Sequence, residues 1–70
     1  MIRELDIVAL THDLKDEHLK EGDTGTVVDC SQDGRHFIVE FIDPDGTTTA
    51  VLPVTHQDIR LVQSMTPRKD

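Results

Sequence analysis

Short runs of β-branched and apolar residues alternate with turn-forming and charged residues along the chain. Each run is about four to eight residues long, which is the usual length of a strand and too short for most helices. We therefore predict five strands, over residues 5–10, 24–30, 35–42, 47–54 and 59–62. Five short strands cannot bury one apolar face as a flat sheet, so the pattern predicts a small all-β barrel or sandwich.

Two turn sequences indicate how the middle strands pair. Asp33-Gly34 separates the second predicted strand from the third, and the sequence Asp-Pro-Asp-Gly at residues 43–46 separates the third from the fourth. Glycine accepts a positive φ and proline presets the φ of one corner, which is the chemistry of tight hairpins. Strands two, three and four should therefore be antiparallel neighbours.

Alternation within the third strand predicts which side chains form the core. One face of this strand carries Phe37, Val39 and Phe41. The other face carries a more polar set, namely His36, Ile38, Glu40 and Ile42. Because successive side chains of a strand point to opposite faces, the first set is the better candidate for the core.

The remaining segments are predicted to be connections. Residues 11–23 form a long charged loop with at most one helical turn, because Leu14 and Leu19 do not share a helical face. Pro53 lacks an amide donor and should lie at the end or edge of strand four. Residues 55–58 are typical of a single-turn connector, and the polar residues 63–70 of a disordered tail. The chain then divides into a barrel over residues 1–62 and a flexible tail over residues 63–70.

The run LKEGDTGTVV at residues 19–28, continued by Val39-Glu40-Phe41, resembles known proteins. Its Gly-Asp-x-Gly-x-Val pattern is similar to the start of the second strand in many SH3-like barrels. Together with residues 2–10 and 58–62, it makes the chain resemble a bacterial family of small proteins of unknown function. The resemblance implies a five-stranded antiparallel SH3-like barrel with a long loop after strand one.

The same run is more distantly similar to the barrel of the nitrile hydratase β subunit and to the KOW element of ribosomal and transcription proteins. The first resemblance implies an accessory or maturation subunit of an enzyme. The second implies binding to RNA or to the ribosome. This chain departs from the KOW pattern because it lacks the basic and aromatic residues with which such a barrel holds RNA.

The charge balance of the chain is acidic, with 14 Asp and Glu residues, seven Lys and Arg residues and a net charge of −7. This charge repels phosphates and argues against nucleic-acid binding. The single cysteine, Cys30, excludes an internal disulfide and favours a reducing compartment. The sequence has neither the pattern of a signal peptide nor a long apolar run, so we expect a cytoplasmic protein.

No pattern in the sequence predicts catalytic, cofactor-binding or metal-binding residues. The spacing of His12 and His18 is not that of a zinc site, so we expect the four histidines to be solvated surface residues. Cys30 has no basic neighbour that would activate its thiol and is expected to be packed and inert. Asp43 and Asp45 fit turn chemistry better than acid–base catalysis.

The charged loop over residues 11–23 is the remaining surface feature. Its candidate partner-binding residues are Asp13, Asp16, Glu17 and Glu21. The loop either only keeps the protein soluble or docks a basic protein partner, since rows of carboxylates steer association and fix register. Self-association through an unpaired strand edge is a further alternative.

These features favour a noncatalytic protein-binding module, and one version of it is an antitoxin- or immunity-like protein that covers a basic partner. An accessory subunit of an enzyme and an RNA- or ribosome-associated module are the alternatives from other functional classes. They differ in what the protein should bring down from its host, namely one basic protein, one enzyme, or ribosomal proteins together with RNA.

Overall fold

The computed structural model of the chain describes residues 2–42 and 45–65. The strands are β1 (Ile7–Leu10), β2 (Thr24–Cys30), β3 (His36–Ile42), β4 (Thr48–Thr55) and β5 (Ile59–Gln63). They form one antiparallel sheet with the order β4-β3-β2-β1-β5. The prediction of an all-β domain with five antiparallel strands is therefore confirmed.

The short connection between β4 and β5 forces this sheet to curl. The two strands lie at opposite edges of the sheet, and in a flat sheet they would be about 19 Å apart. From Thr55 to Ile59 the chain reaches at most about 14 Å. The connector is tighter still, because the Asp58 amide donates to the Thr55 carbonyl at 2.9 Å. The two edges must therefore bend toward each other around a common core.

The core lies on the inner face of the curled sheet. Phe37, Val39 and Phe41 are all buried, as the alternation in the third strand predicts. They pack against residues from the other strands and from the loop after β1, namely Val8, Leu10, Leu19, Val27, Val54 and Ile59. Each such side chain contributes about 1.5–3 kcal/mol when it is removed from water, so the small core rests on branched aliphatic residues and two phenylalanines.

β1 is shorter than predicted because the backbone turns away at Leu5. The sequence predicts a strand from residue 5, but β1 begins at Ile7 and the Leu5 side chain is 61% exposed. Leu5 has a φ of 75°, which is outside the strand region and uncommon for a residue other than glycine. The Leu5 amide nevertheless donates to the Val27 carbonyl at 2.7 Å, so this segment still follows β2.

The other predicted strand limits differ from the structure by at most one residue at either end. β2 is as predicted, β3 begins one residue later, and β4 is displaced by one residue toward the C-terminus. β5 includes Gln63, which the sequence assigns to the tail. Residues 66–70 of the predicted tail lie outside the described residues. Pro53 lies in an edge strand, β4, but it is not at the end of that strand, because it pairs with Ile38 within the ladder to β3.

Carboxylates organise the turns on either side of β3. Asp33 accepts a hydrogen bond from the Ser31 hydroxyl and another from the Arg35 amide at 2.9 Å, and these bonds lower the pKa of Asp33. Asp45 accepts from the Thr47 amide at 2.9 Å, and this bond lowers the pKa of Asp45. The predicted turn chemistry is confirmed for Asp45, whereas residue 43 lies outside the described residues.

Candidate docking surface

The segment between β1 and β2, residues 11–23, folds back on itself as an arch. A single antiparallel bridge pairs Leu14 with Leu19, and their amides and carbonyls exchange hydrogen bonds of 2.9 and 3.1 Å. A short 3-10 helix, Lys15–Glu17, lies between them and ends at His18, which has a φ of 59°. The single helical turn predicted for this loop is confirmed. The bridge, and the burial of Leu19 in the core, are not apparent from the sequence.

The arch and strand β4 together line an open hollow of about 560 Å³, which we call the acidic hollow. Its lining residues are Asp13, Leu14, Lys15, Asp16, Glu17, Leu52 and Pro53. Three of these side chains are carboxylates and one is a cation, so the hollow has an excess of negative charge. The leucines and the proline add apolar surface beside that charge.

The structure brings together three of the four predicted partner-binding residues. Asp13 lines the acidic hollow, but its carboxylate already accepts the Glu21 amide at 2.8 Å. Within residues 2–42 and 45–65, no hydrogen bond or ion pair engages the carboxylates of Asp16 and Glu17. Glu21 is exposed and does not line the hollow. Asp16 and Glu17 are therefore the groups best placed to meet an external cation.

A histidine–aspartate pair fixes the base of the arch to the connector between β4 and β5. His12 Nε2 lies 2.7 Å from Asp58 Oδ1. The other oxygen of Asp58 accepts from the Thr55 amide at 2.8 Å and from its hydroxyl at 3.0 Å. Thr11 adds hydrogen bonds from its amide to the Asp58 carbonyl and from its hydroxyl to the Gln57 carbonyl, each 2.8 Å long. These contacts hold the arch in place and so give the acidic hollow a fixed wall.

The pair favours the charged form of both partners. The hydrogen bond to Asp58, followed by the contact with the Asp13 carbonyl, raises the pKa of His12. The bond from His12, followed by that from the Thr55 amide, lowers the pKa of Asp58. The stabilisation due to His12 is complete below the ordinary histidine pKa and is lost as the pH rises through the raised value. The stabilisation due to Asp58 is present above the ordinary aspartate pKa and is lost as the pH falls through the lowered pKa of Asp58.

We expect Asp58→Asn to bring the pKa of His12 down toward its ordinary value of about 6.5. The side-chain amide keeps the shape of the carboxylate but removes the charge that favours the imidazolium. NMR titration of the His12 ring in both proteins measures this directly. In the wild type, the advantage in stability over His12→Gln should shrink as the pH rises through the His12 pKa. An identical His12 titration in the wild type and in Asp58→Asn would contradict the assignment of the pair.

A second open hollow, of about 350 Å³, lies where β2 ends, β3 begins and β4 ends, and we call it the apolar hollow. Phe37, Ile38, Pro53 and Val54 supply its apolar surface. Its other lining residues are Asp29, Cys30, Ser31, His36, Thr55 and Asp58. The two hollows therefore share one residue, Pro53, on the edge strand β4.

The prediction that Cys30 is packed in the interior is wrong, because its free thiol belongs to an exposed residue. A bulge between Val27 and Asp29 shifts the register of β2, so that Cys30 pairs with Phe37. Directly paired residues of antiparallel strands lie on the same face of the sheet. Cys30 is thus on the core side, but it is the last residue of β2 and borders the open apolar hollow instead of the core.

The histidines lie in different parts of the fold. His12 is exposed, as expected, but it is held in the pair with Asp58, and His36 Nδ1 lies 3.6 Å from Asp33 Oδ2. In the described ranges, no group of three or more His, Cys, Asp or Glu side chains is arranged to hold a metal ion. Within the same ranges, no helix has the length and apolar character needed to cross a bilayer.

A family model for a domain of unknown function, DUF4926, matches residues 4–61. The chain belongs to the DUF4926 family. The matched range of the DUF4926 domain contains the arch and every residue that lines the two hollows. No curated protein and no solved structure matches the chain. The predicted membership of a family of unknown function is therefore confirmed, and the function has to be inferred from the surface itself.

Proposed function

We propose that this DUF4926 domain is a noncatalytic protein-binding module that docks a basic segment of a partner protein in the acidic hollow. The observation that carries the proposal is the position of Asp16 and Glu17. Their carboxylates are not engaged by the described residues, and they border apolar surface formed by Leu14, Leu52 and Pro53.

The side chain of lysine or arginine matches both properties of this hollow. Its alkyl stem packs on apolar surface while its charged head stays near water and carboxylates. The net charge of −7 adds a long-range attraction for a basic partner, which raises the association rate more than the final affinity. An antitoxin- or immunity-like protein that covers a basic surface is one form of such a module.

The SH3-like resemblance belongs to the same proposal. The strand order β4-β3-β2-β1-β5, the long arch after β1 and the single-turn connector before β5 support an SH3-like barrel. In this arrangement the arch and the connector lie side by side, joined by the pair between His12 and Asp58. The docking surface is then made of loops placed on a rigid sheet, which is where proteins commonly locate binding sites.

Structural roles account for the groups with shifted pKa values in the described part of the chain. Asp33 and Asp45 accept bonds from turn residues, and Asp58 with His12 anchors the arch. Perturbed titrations also occur in active sites, but ion pairs that hold a structure together produce them as well. This assignment supports a noncatalytic role.

We expect Glu17→Lys to weaken capture of the partner by about tenfold or more, since it replaces an attraction in the hollow by a repulsion. The test is a pull-down of the tagged protein from its native host at near-physiological salt, with quantitative mass spectrometry of the captured chains. Glu21→Lys is the matched control, because it makes the same change of charge in the same arch but outside the hollow.

The proposal requires one basic protein that wild type and Glu21→Lys retain and Glu17→Lys loses. Equal loss in both variants would indicate attraction by overall charge, without a site. Equal capture by all three proteins would place the binding surface elsewhere, and ribosomal proteins recovered together with RNA would favour the KOW-like alternative. Circular dichroism of each variant confirms that the fold is retained.

A further inference from the structure

The two hollows are neighbours along the edge of the sheet. The acidic hollow reaches Leu52 and Pro53 of β4, and the apolar hollow reaches residues 53–55 of the same strand. Pro53 is exposed and lines both of them. From Leu52 to Thr55 an extended strand advances about 10 Å. A chain segment laid along this edge would therefore pass from one hollow into the other within a few residues.

The two hollows differ in the side chains that they can accept. The carboxylates of Asp16 and Glu17 border the acidic hollow, which favours a cation. The apolar hollow is bordered by Phe37, Ile38 and Val54, which favour an aliphatic or aromatic side chain. Both carboxylates that line it already accept hydrogen bonds, Asp58 from His12 and Thr55 and Asp29 from the Cys30 amide, so this end of the surface has less free negative charge.

Pro53 also limits how a partner can bind at this edge. Proline has no amide donor and in sheets is confined to edge strands, strand starts and bulges. Placed in the middle of an exposed edge, it hinders the addition of another strand. Natural sheets use proline in this way to prevent pairing between exposed edges. Recognition along β4 must then rely on side chains that fill the hollows, with a smaller contribution from a backbone ladder.

We propose that the acidic and apolar hollows act as one groove for an extended segment of a partner protein, carrying a lysine or arginine and a large apolar residue about three positions apart. The spacing follows from the advance of about 10 Å along β4 between Leu52, which lines the acidic hollow, and Thr55, which lines the apolar hollow. A polyproline II segment rises about 3.1 Å per residue and returns to the same face every third residue. This inference rests on the proposed function and specifies the partner segment that it requires.

The test uses a phage library of random 12-residue peptides, selected on the immobilised wild-type protein. Selected peptides are resynthesised, and their binding is measured by fluorescence anisotropy against four variants. Glu17→Lys tests the acidic hollow with Glu21→Lys as its control. Ile38→Thr tests the apolar hollow, and Val51→Thr is its matched control because Val51 is exposed on the neighbouring strand and lines neither hollow.

We expect the selected peptides to share a basic and an apolar residue two to four positions apart. Glu17→Lys and Ile38→Thr should each weaken binding by about tenfold, whereas the two controls should change it less than about twofold. In an NMR titration with the same peptide, the amides of residues 13–17 and 36–38 should both shift. This second measurement keeps the test decisive if Ile38→Thr disturbs the fold.

One possible outcome is that the selected peptides carry only basic residues, bind Glu17→Lys more weakly than wild type and bind Ile38→Thr as tightly as wild type. This outcome would leave the proposed function standing and overturn the single groove. Peptides insensitive to Glu17→Lys, or no enrichment at all, would count against both. Shifts at residues 13–17 and 36–38 that grow with protein concentration in the absence of peptide would identify a second copy of the chain as the occupant, which also overturns the inference.

Discussion

Gly25→Ala should lower the free energy of unfolding by about 3 kcal/mol, with a fall in melting temperature of about 15 °C. Gly25 lies in the central strand β2, where it is opposite Val8 of β1 and Phe41 of β3. A Cβ atom at this position would lie 2.7 Å from the Glu40 carbonyl oxygen, 2.7 Å from Val39 Cγ1 and 2.9 Å from Phe41 Cδ1. The carbonyl belongs to the sheet itself, so no change of side-chain rotamer relieves that overlap.

Chemical denaturation of Gly25→Ala and of Gly34→Asn tests whether steric overlap at Gly25 causes the loss of stability. Gly34 has a φ of 71° and no atom within 4 Å of an added Cβ. Asparagine tolerates that left-handed conformation better than most residues, so the control should cost less than about 1 kcal/mol. Equal losses in the two variants would show that the close approach at Gly25 does not decide the stability of the sheet.

Asp6→Ala should lower the free energy of unfolding by about 2–3 kcal/mol. Asp6 is fully buried, and its carboxylate accepts the Arg3 amide at 2.9 Å and the Met65 amide at 3.3 Å. It thereby joins the turn before β1 to the residues that follow β5. Removal of the carboxylate leaves these amide donors without their acceptor at a partly buried site, and this loss dominates the expected effect.

Two further variants separate the hydrogen bonds of Asp6 from the effect of removing any acidic residue. Asp6→Asn keeps one oxygen acceptor of similar shape and should lose less stability than Asp6→Ala. Asp16→Ala removes an exposed carboxylate and should change the free energy of unfolding by less than about 0.5 kcal/mol. Urea denaturation monitored by circular dichroism measures all three. A loss in Asp6→Ala no larger than that in Asp16→Ala would contradict the proposed role of the buried carboxylate.

Most of the fold follows from local patterns in the sequence. Phe37, Val39 and Phe41 alternate with more polar residues, and Gly34 supplies the positive φ of a hairpin, so β3 and its pairing with β2 are evident without a structure. Leu5 is an exception to these patterns. It extends an apolar run and is therefore assigned to the strand, but the chain turns there because Asp6 and Val27 hold the preceding segment by hydrogen bonds.

The position of Cys30 at the open end of β2, and not its face of the sheet, explains why the prediction of a packed thiol is wrong. Periodicity alone does not locate a bulge, and the bulge between Val27 and Asp29 decides which residue faces Phe37. Even the correct face would not have been sufficient, because burial also depends on whether another element covers the end of β2. Leu19 is the opposite case, since an isolated leucine in a charged loop becomes part of the core through its bridge to Leu14.

The candidate site could be predicted only in part, because some of its residues are distant from one another in sequence. Asp13, Asp16 and Glu17 are close in sequence, so their proximity in the arch follows from the chain itself. Leu52 and Pro53 come from a distant strand, and only the curl of the sheet brings them to the arch. Glu21 has the same charge and lies in the same loop, but its position outside the hollow depends on how the arch folds back.

NMR mapping of the captured basic partner on the isotope-labelled protein shows whether the partner docks in the acidic hollow. Docking there requires that the largest shifts occur at the amides of residues 13–17 and of Leu52, and that they weaken with added salt as expected for a charged contact. Shifts confined to surfaces away from the acidic hollow, such as the turn between β2 and β3, would contradict it.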